Sequence, residues 1–233
     1  MSSKLTGNNL HALATSVIRG GRGLVVWSGA TRQPELPLEL YEFESCPFCR
    51  KVREELSELD LGYICHPSAK GSRNRDVVVE RGGKAMFPYL VDPNEGVEMY
   101  ESEDIIDYLH RTYGTKRSPL LRVVSPLNTL GAALASASRP RGGKVKSAHD
   151  NGDLELMVLY NFEASPYCRK VREVLAELDL SYRVVNVAKR SVHRPELVAL
   201  GGKMMVPYLL DPNGDVAMYE SDDIVAYLRR TYG

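Results

Sequence analysis

Leu38-Glu39-Leu40-Tyr41-Glu42-Phe43-Glu44-Ser45-Cys46-Pro47-Phe48-Cys49-Arg50-Lys51-Val52-Arg53-Glu54 is the stretch that decides the fold of this 233-residue chain. Leu38 to Phe43 is a short apolar and aromatic run that predicts a strand. From Pro47 onward, Val52, Leu56 and Leu59 recur on one face of a helix ending near Asp60. A Cys-x-x-Cys therefore stands where a strand passes into a helix, with Pro47 at the first helical position, where its missing N–H would be unpaired anyway.

The same passage returns as Met157 to Glu173. Residues 38–114 align with 157–233 at a constant offset of 119, without a gap, and 45 of the 77 positions are identical. Chance does not produce this, so each copy is expected to fold alike. After the first strand and helix, a second strand is expected at Gly62 to His66, then a loop with a short helical stretch up to Gly82-Gly83. Phe87 to Val91 and Val97 to Tyr100 read as a hairpin around Asp92-Pro93-Asn94. Glu101 to Tyr113 reads as a closing helix with Ile105 and Leu109 inward. The expected class is α/β: two tandem modules of order β-α-β-α-β-β-α, each with a four-stranded mixed sheet covered by helices on both faces.

Four divisions follow: a basic lead-in at 1–37, a module with Cys-Pro-Phe-Cys at 38–114, a linker at 115–154, and a second module with Ser-Pro-Tyr-Cys at 155–233. Asn8, Leu10, Ala12, Ser16 and Arg19 recur 120 residues later as Asn128, Leu130, Ala132, Ser136 and Arg139, so each module carries its own lead-in. The Ala/Leu-rich part of the linker could form an amphipathic helix on the modules, or a solvated tether. Residues 1–34 are acid-free, as an organellar transit peptide can be, but the recurrence in mid-chain argues against targeting. The expected location is the cytoplasm, with a plastid stroma as the alternative.

Thirty basic residues balance thirty acidic ones, and 43% of the residues are hydrophobic. No global field points to nucleic acid, and no apolar run approaches the ~18 residues of a membrane span, so a small-molecule partner is expected. Cys46, Cys49, Cys65 and Cys168 are too few for a secreted disulfide framework.

A Cys46 thiolate at a helix start would meet unpaired N–H groups and the positive end of the helix dipole, with Arg50, Lys51 and Arg53 adding charge nearby. Its pKa should fall. Cys49, one turn on, would close an intramolecular disulfide. A zinc site would need two further ligands at suitable spacing, and none is present, so no metal is expected. Cys65, inside a strand, reads as a core residue.

Cys46-Pro47-Phe48-Cys49, Phe87-Pro88-Tyr89 before a hairpin, and Glu101-Ser102 opening the last helix resemble glutaredoxins and the amino-terminal thioredoxin-fold domain of glutathione S-transferases. The tandem arrangement is similar to two-module glutathione S-transferase-like proteins of photosynthetic organisms. The resemblance implies glutathione as cofactor, bound in the first module by Phe48, by Phe87 and the cis-proline Pro88, and by Glu101 and Ser102. In the second module it implies Ser165, Tyr167, Val206, Pro207, Glu220 and Ser221. Ser165 stands opposite Cys46, and a hydroxyl cannot replace a thiolate in disulfide exchange. Ser165 could stabilise a glutathione thiolate, Cys168 could act as a secondary thiol, or the second module could be silent; the last is the reading adopted.

The expected function is glutathione-dependent thiol-disulfide exchange, with Cys46 and Cys49 catalytic and disulfide or glutathionylated proteins as substrates. One alternative is conjugation of glutathione to electrophiles, which in such transferases uses an additional helical domain. The other is a glutathione or iron-sulfur cluster binding protein without enzymatic activity.

Overall fold

The computed structural model describes residues 22–27, 29–114, 142–147 and 154–233. The linker helix expected within 115–154 falls mostly outside the described residues. The first copy forms β1 (Leu38–Glu42), α1 (Pro47–Glu58), β2 (Tyr63–Pro67), α2 (Asn74–Gly82), β3 (Tyr89–Asp92), β4 (Val97–Met99) and α3 (Ser102–Thr112). The second repeats the order as β5 (Met157–Asn161), α4 (Pro166–Glu177), β6 (Tyr182–Asn186), α5 (Arg194–Gly201), β7 (Tyr208–Asp211), β8 (Val216–Met218) and α6 (Ser221–Tyr232). Phe87 and Pro88, expected inside a strand, lie just before β3.

One difference from expectation governs the rest. Instead of two four-stranded sheets, the eight strands make one sheet in the order β4-β3-β1-β2-β6-β5-β7-β8. β1 and β2 are parallel, as are β5 and β6, while the hairpin strands run antiparallel to them. The halves join where β2 and β6 pair antiparallel, with Tyr63 opposite Val184, Ile64 opposite Arg183, and Cys65 opposite Tyr182. Ile64 and Arg183 are equivalent positions of the two copies, so the join is a local two-fold. Its physical reason is that β2 alone would present a row of unpaired N–H and C=O groups, and the copy of itself supplies the missing partner.

Alternation along the strands sorts side chains into two layers. Leu38, Leu40, Val52, Leu56, Ile105 and Leu109 share one continuous core with Met157, Leu159, Val171, Leu175, Ile224 and Leu228, running under the four helices α1, α3, α4 and α6. The opposite face carries two separate clusters. Tyr41, Tyr89 and Val91 lie together with Val78 of α2, and Tyr160, Val185, Val187 and Tyr208 with Leu197 of α5.

Two segments strap the halves in a crossed fashion. Residues 22–27 precede the first half but pair with the second, through Val26 N–H to Lys189 O (2.9 Å) and Lys189 N–H to Leu24 O (2.9 Å). Residues 142–147 precede the second half, to which Lys146 N–H bonds at Glu177 O (2.8 Å), and reach the first through Lys70 N–H to Gly143 O and Val145 N–H to Lys70 O (both 3.0 Å). Gly23 (φ +77°) and Gly142 (φ +72°) thread where a Cβ would stand 2.9 Å from Glu163 Cβ and from Glu44 Cβ respectively, so close approach and left-handed backbone both demand glycine there.

Candidate active site

Cys46 is the N-cap of α1, with extended backbone (φ −78°, ψ 122°), and its Sγ accepts the Cys49 N–H at 3.3 Å. The turn before it closes through Cys46 N–H to Phe43 O at 3.0 Å. A hydrogen bond from the Cys49 side chain is the main cause that lowers the Cys46 pKa below the ordinary thiol value, with backbone N–H groups of Cys49 and Phe48 adding to it against the cost of burial. Burial, and next the neighbouring Cys46, push Cys49 well above that value. The two sulfurs thus divide into a thiol with a lowered pKa, 4% exposed, and a fully buried thiol with a raised one.

The backbone N–H groups act as expected; the basic side chains do not. Arg50, Lys51 and Arg53 do not surround the sulfur: Arg50 pairs with Glu54 at 3.1 Å, Lys51 with Glu103 of α3, and Arg53 with Glu42 and with Glu163 of the second half. The Cys49 thiol, with the expected backbone donors, carries the effect.

Phe48, Met86, Phe87, Pro88, Glu101 and Ser102 line one small cavity of about 140 Å³, so five expected binding residues come together. Phe48 is 46% exposed at its mouth. The Phe87-Pro88 and Val206-Pro207 peptide bonds are cis. Glu101 (φ 67°, ψ 114°) and Glu220 (φ 66°, ψ 111°) hold left-handed backbone immediately before α3 and α6. A non-glycine residue there costs about 1–3 kcal/mol, and such strain gathers where a backbone must face a ligand. Ser102 and Ser221 are buried at the first positions of those helices, where free N–H groups can accept a carboxylate. Two participants were missed. Met86 lines the cavity, and its recurrence as Met205 one residue before the Val206-Pro207 bond was a signal available in the sequence. Arg75 stacks its guanidinium 4.7 Å from the Phe87 ring centroid, which nothing in the local pattern announces.

The second half reproduces the scaffold with a hydroxyl, Ser165, where the first has the N-cap thiol. Ser165 caps α4 with φ −75° and ψ 119°, and its Oγ accepts the Cys168 N–H at 3.3 Å. Tyr167, Val206, Pro207, Glu220 and Ser221 occupy the places equivalent to the first site; Tyr167 and Val206 are half-buried and Pro207 is buried. Cys168 is fully buried, and burial raises its pKa despite the hydrogen bond with Ser165. Cys65 is buried as expected, but its thiol donates to Glu42 Oε1 at 3.3 Å beside the seam.

Between the halves lies a buried ionic cluster that sequence reading did not anticipate. Arg172 of α4 grips Glu44, two residues before Cys46, through Nε to Oε2 at 3.0 Å and Nη2 to Oε1 at 3.1 Å. Reciprocally, Arg53 of α1 grips Glu163, two residues before Ser165, at 3.0 and 3.3 Å. Burial alone would raise Glu44, but Arg172 and Arg53 outweigh it and hold the carboxyl at about 2. Glu42 goes the other way: burial raises its pKa, only partly offset by Arg53.

Among the described residues, no helix is long and apolar enough to cross a membrane, and no three His, Cys, Asp or Glu side chains are grouped to hold a metal ion.

The chain is similar in sequence to glutathione S-transferase-like proteins. The glutathione S-transferase-like protein tpcF of Aspergillus fumigatus is 35% identical over 80 residues, covering 34% of this chain and 35% of that protein. The glutathione S-transferase-like protein gedE of Aspergillus terreus is 33% identical over 70 residues, covering 30% and 31%. The matched part of this chain thus spans about a third of the length of these curated relatives. A solved structure, Leishmania TDR1, described as a unique trimeric glutathione transferase, overlaps 85% of this chain and 67% of its own at 14% identity, with a TM-score of 0.30 that is too low to bear on the fold. The sequence model of the glutathione S-transferase N-terminal domain matches twice, over residues 40–117 and 159–233, about two thirds of the chain. On that coverage, the chain belongs to the glutathione S-transferase N-terminal domain family.

Proposed function

We propose that the protein is a glutathione-dependent thiol-disulfide oxidoreductase built of two glutaredoxin-like modules, the first catalytic and the second a degenerate glutathione-binding module. The observation that carries this reading is the pairing of an acidic N-cap thiol, Cys46, with a high-pKa thiol, Cys49, one helical turn away. The Cys46 thiolate attacks one sulfur of a disulfide or glutathionylated protein, forming a mixed disulfide, and the other sulfur leaves as a thiolate that takes a proton from water. Cys46 then no longer carries the charge that helps to raise Cys49, so Cys49 releases its proton more readily and attacks Cys46 Sγ, freeing the second thiol. Glutathione, held along the cavity of Phe48, Phe87, Pro88, Glu101 and Ser102, resolves the mixed disulfide or reduces the Cys46–Cys49 disulfide that closes.

The test is glutathione–disulfide exchange, followed through oxidised glutathione. Cys46→Ser is expected to abolish it and Cys168→Ser to leave it nearly unchanged. Wild-type turnover in Cys46→Ser would refute the reading. The names of the curated relatives favour a second reading, conjugation of glutathione to electrophiles; it predicts robust turnover of a chlorinated aromatic substrate that survives Cys46→Ser.

A further inference from the structure

We propose that the second half takes part in the first half's reaction through Arg172, a positioning residue that fixes the Cys46 loop by its two-pronged grip on Glu44. The inference rests on the exchange reaction proposed above and assigns a role to the half that lacks the N-cap thiol.

The loop from Phe43 to Cys46 is short, and its backbone is closed by a single bond, Cys46 N–H to Phe43 O. Its one long polar side chain, Glu44, lies between Arg53 of its own half and Arg172 of the other, and takes its two-pronged grip from Arg172. The carboxylate is 2% exposed, and Arg172 is 1% exposed at the side chain, so water takes little part in holding them. Arg169 of α4 stands 3.5 Å from the same carboxylate, and Arg53 3.4 Å. The rim of the reactive turn is thus fastened mainly to the other half's helix. A planar guanidinium binding two carboxylate oxygens fixes direction as well as distance.

The cluster is not symmetric, and its asymmetry favours the Cys46 side. Arg53 is shared among Glu42, Glu44 and Glu163. The counterpart of Glu42 is Asn161, a neutral acceptor that takes only the Nη1–H of Arg172 at 3.0 Å. Arg172 therefore gives its charge to Glu44 and, at 2.8 Å, to Glu163, the two residues that anchor the paired loops. Docking two halves does not require such a cluster, since apolar packing of equal volume commonly stabilises as well or better than a buried ion pair. A rigid, directional anchor two residues from a sulfur that must meet another sulfur in line does have a use, because a displacement of about 1 Å can cost up to about a hundredfold in rate.

The experiment compares wild type, Arg172→Met, Glu44→Gln and the double variant in the full chain. It measures exchange kinetics and the pH profile of Cys46 alkylation, whose near charged or titratable groups are Cys49 and Glu42. Expected is a fall of about tenfold or more in kcat with KM for glutathione nearly unchanged, because the cavity residues are untouched. The alkylation profile shifts with it, and the double variant is no worse than either single one, as for two residues acting through one contact. Leu228→Ala, a fully buried change in α6, serves as the control: it should lower stability without moving the Cys46 profile. If Arg172→Met does not fold, Arg172→Lys, which keeps the charge but loses the fork, is read in its place. A folded Arg172 variant with wild-type kcat and Cys46 profile overturns the inference and leaves the proposed function standing, as does an equal shift in Leu228→Ala. Loss of the proposed function shows instead as absent exchange in wild type, where the alkylation profiles still read the anchor.

Discussion

Replacing Glu44 by Gln keeps the shape of the side chain and removes its charge, so it isolates what the buried cluster contributes to the fold. In the folded chain the Glu44 carboxyl is held at about 2, against an ordinary value of 4.5. At 1.36 kcal/mol per pKa unit the difference corresponds to roughly 3 kcal/mol. Because the folded pKa is depressed, this stability is fully present above the unfolded value near 4.5 and is lost as pH falls through the folded value near 2. Glu42 opposes it: its raised pKa means that the folded state loses stability as pH rises past the unfolded carboxyl value, and Glu44 is one cause of that rise. Removing Glu44 therefore also relieves Glu42, so the expected loss in Glu44→Gln at pH 7 is smaller than that figure. Urea unfolding of both proteins from pH 7 down to pH 2.5 is the assay. The two stability curves should converge as pH falls below about 4. Parallel curves with a constant offset, or a variant more stable than wild type at pH 7, would show that the grip on Glu44 is not a net stabilising contact.

Asp92 accepts Tyr108 and Tyr113 hydroxyls at 2.6 Å each and the backbone N–H and side-chain amide of Asn94, tying α3 to the hairpin; Asp92→Asn loses one charged acceptor and should cost about 2–3 kcal/mol in thermal or urea unfolding. Ser165→Cys should create a second rapidly alkylated thiol, since the N-cap backbone and the Cys168 N–H are already in place and the anionic neighbour Glu42 is replaced by Asn161; mass-mapped alkylation below pH 8 reads this, and an inert Cys at 165 would contradict the account of how Cys46 is activated.

Most of the scaffold was legible because it rests on local periodicity. Val52, Leu56 and Leu59 mark the inner face of α1, and the strand and helix bounds fall within a few residues of those expected. The seam was not legible, for a physical reason. Arg50, Arg53 and Glu54 lie off the apolar stripe of α1, where helical periodicity assigns solvent, and they are buried only because another copy of the same helix packs there. A pattern read one helix at a time cannot report a partner that lies 119 residues away. The repeat did hold a hint: Arg50, Arg53, Glu54 and Glu44 all recur in the second copy, and charges repeated at matched places suit a shared two-fold contact better than a solvated face. In the site, the N-cap place of Cys46 followed from where its helix begins, and Glu101 and Ser102 were expected at the start of the last helix. The expected help from Arg50, Lys51 and Arg53 failed because closeness in sequence says nothing about which carboxylate each cation has already met.

The two copies also show how one position can meet two separate demands. At the start of α1 and α4 the fold needs an acceptor for an N–H one turn in, and the Cys46 thiol and the Ser165 hydroxyl both supply it at 3.3 Å. Disulfide exchange needs an anion that is stable near neutrality, which sulfur provides and a hydroxyl does not. The fold therefore tolerates either residue, while the proposed chemistry tolerates one. The same division applies at Glu42 and Asn161, where both side chains accept from an arginine, but only Glu42 brings a charge close enough to oppose the ionisation of Cys46. That opposition is the smallest of the influences on the Cys46 thiol, behind the Cys49 side chain, burial and the backbone N–H groups of Cys49 and Phe48. The carboxylate beneath the reactive turn and the arginine reaching in from the other half thus act on one sulfur in different ways, the first on its charge and the second on its place.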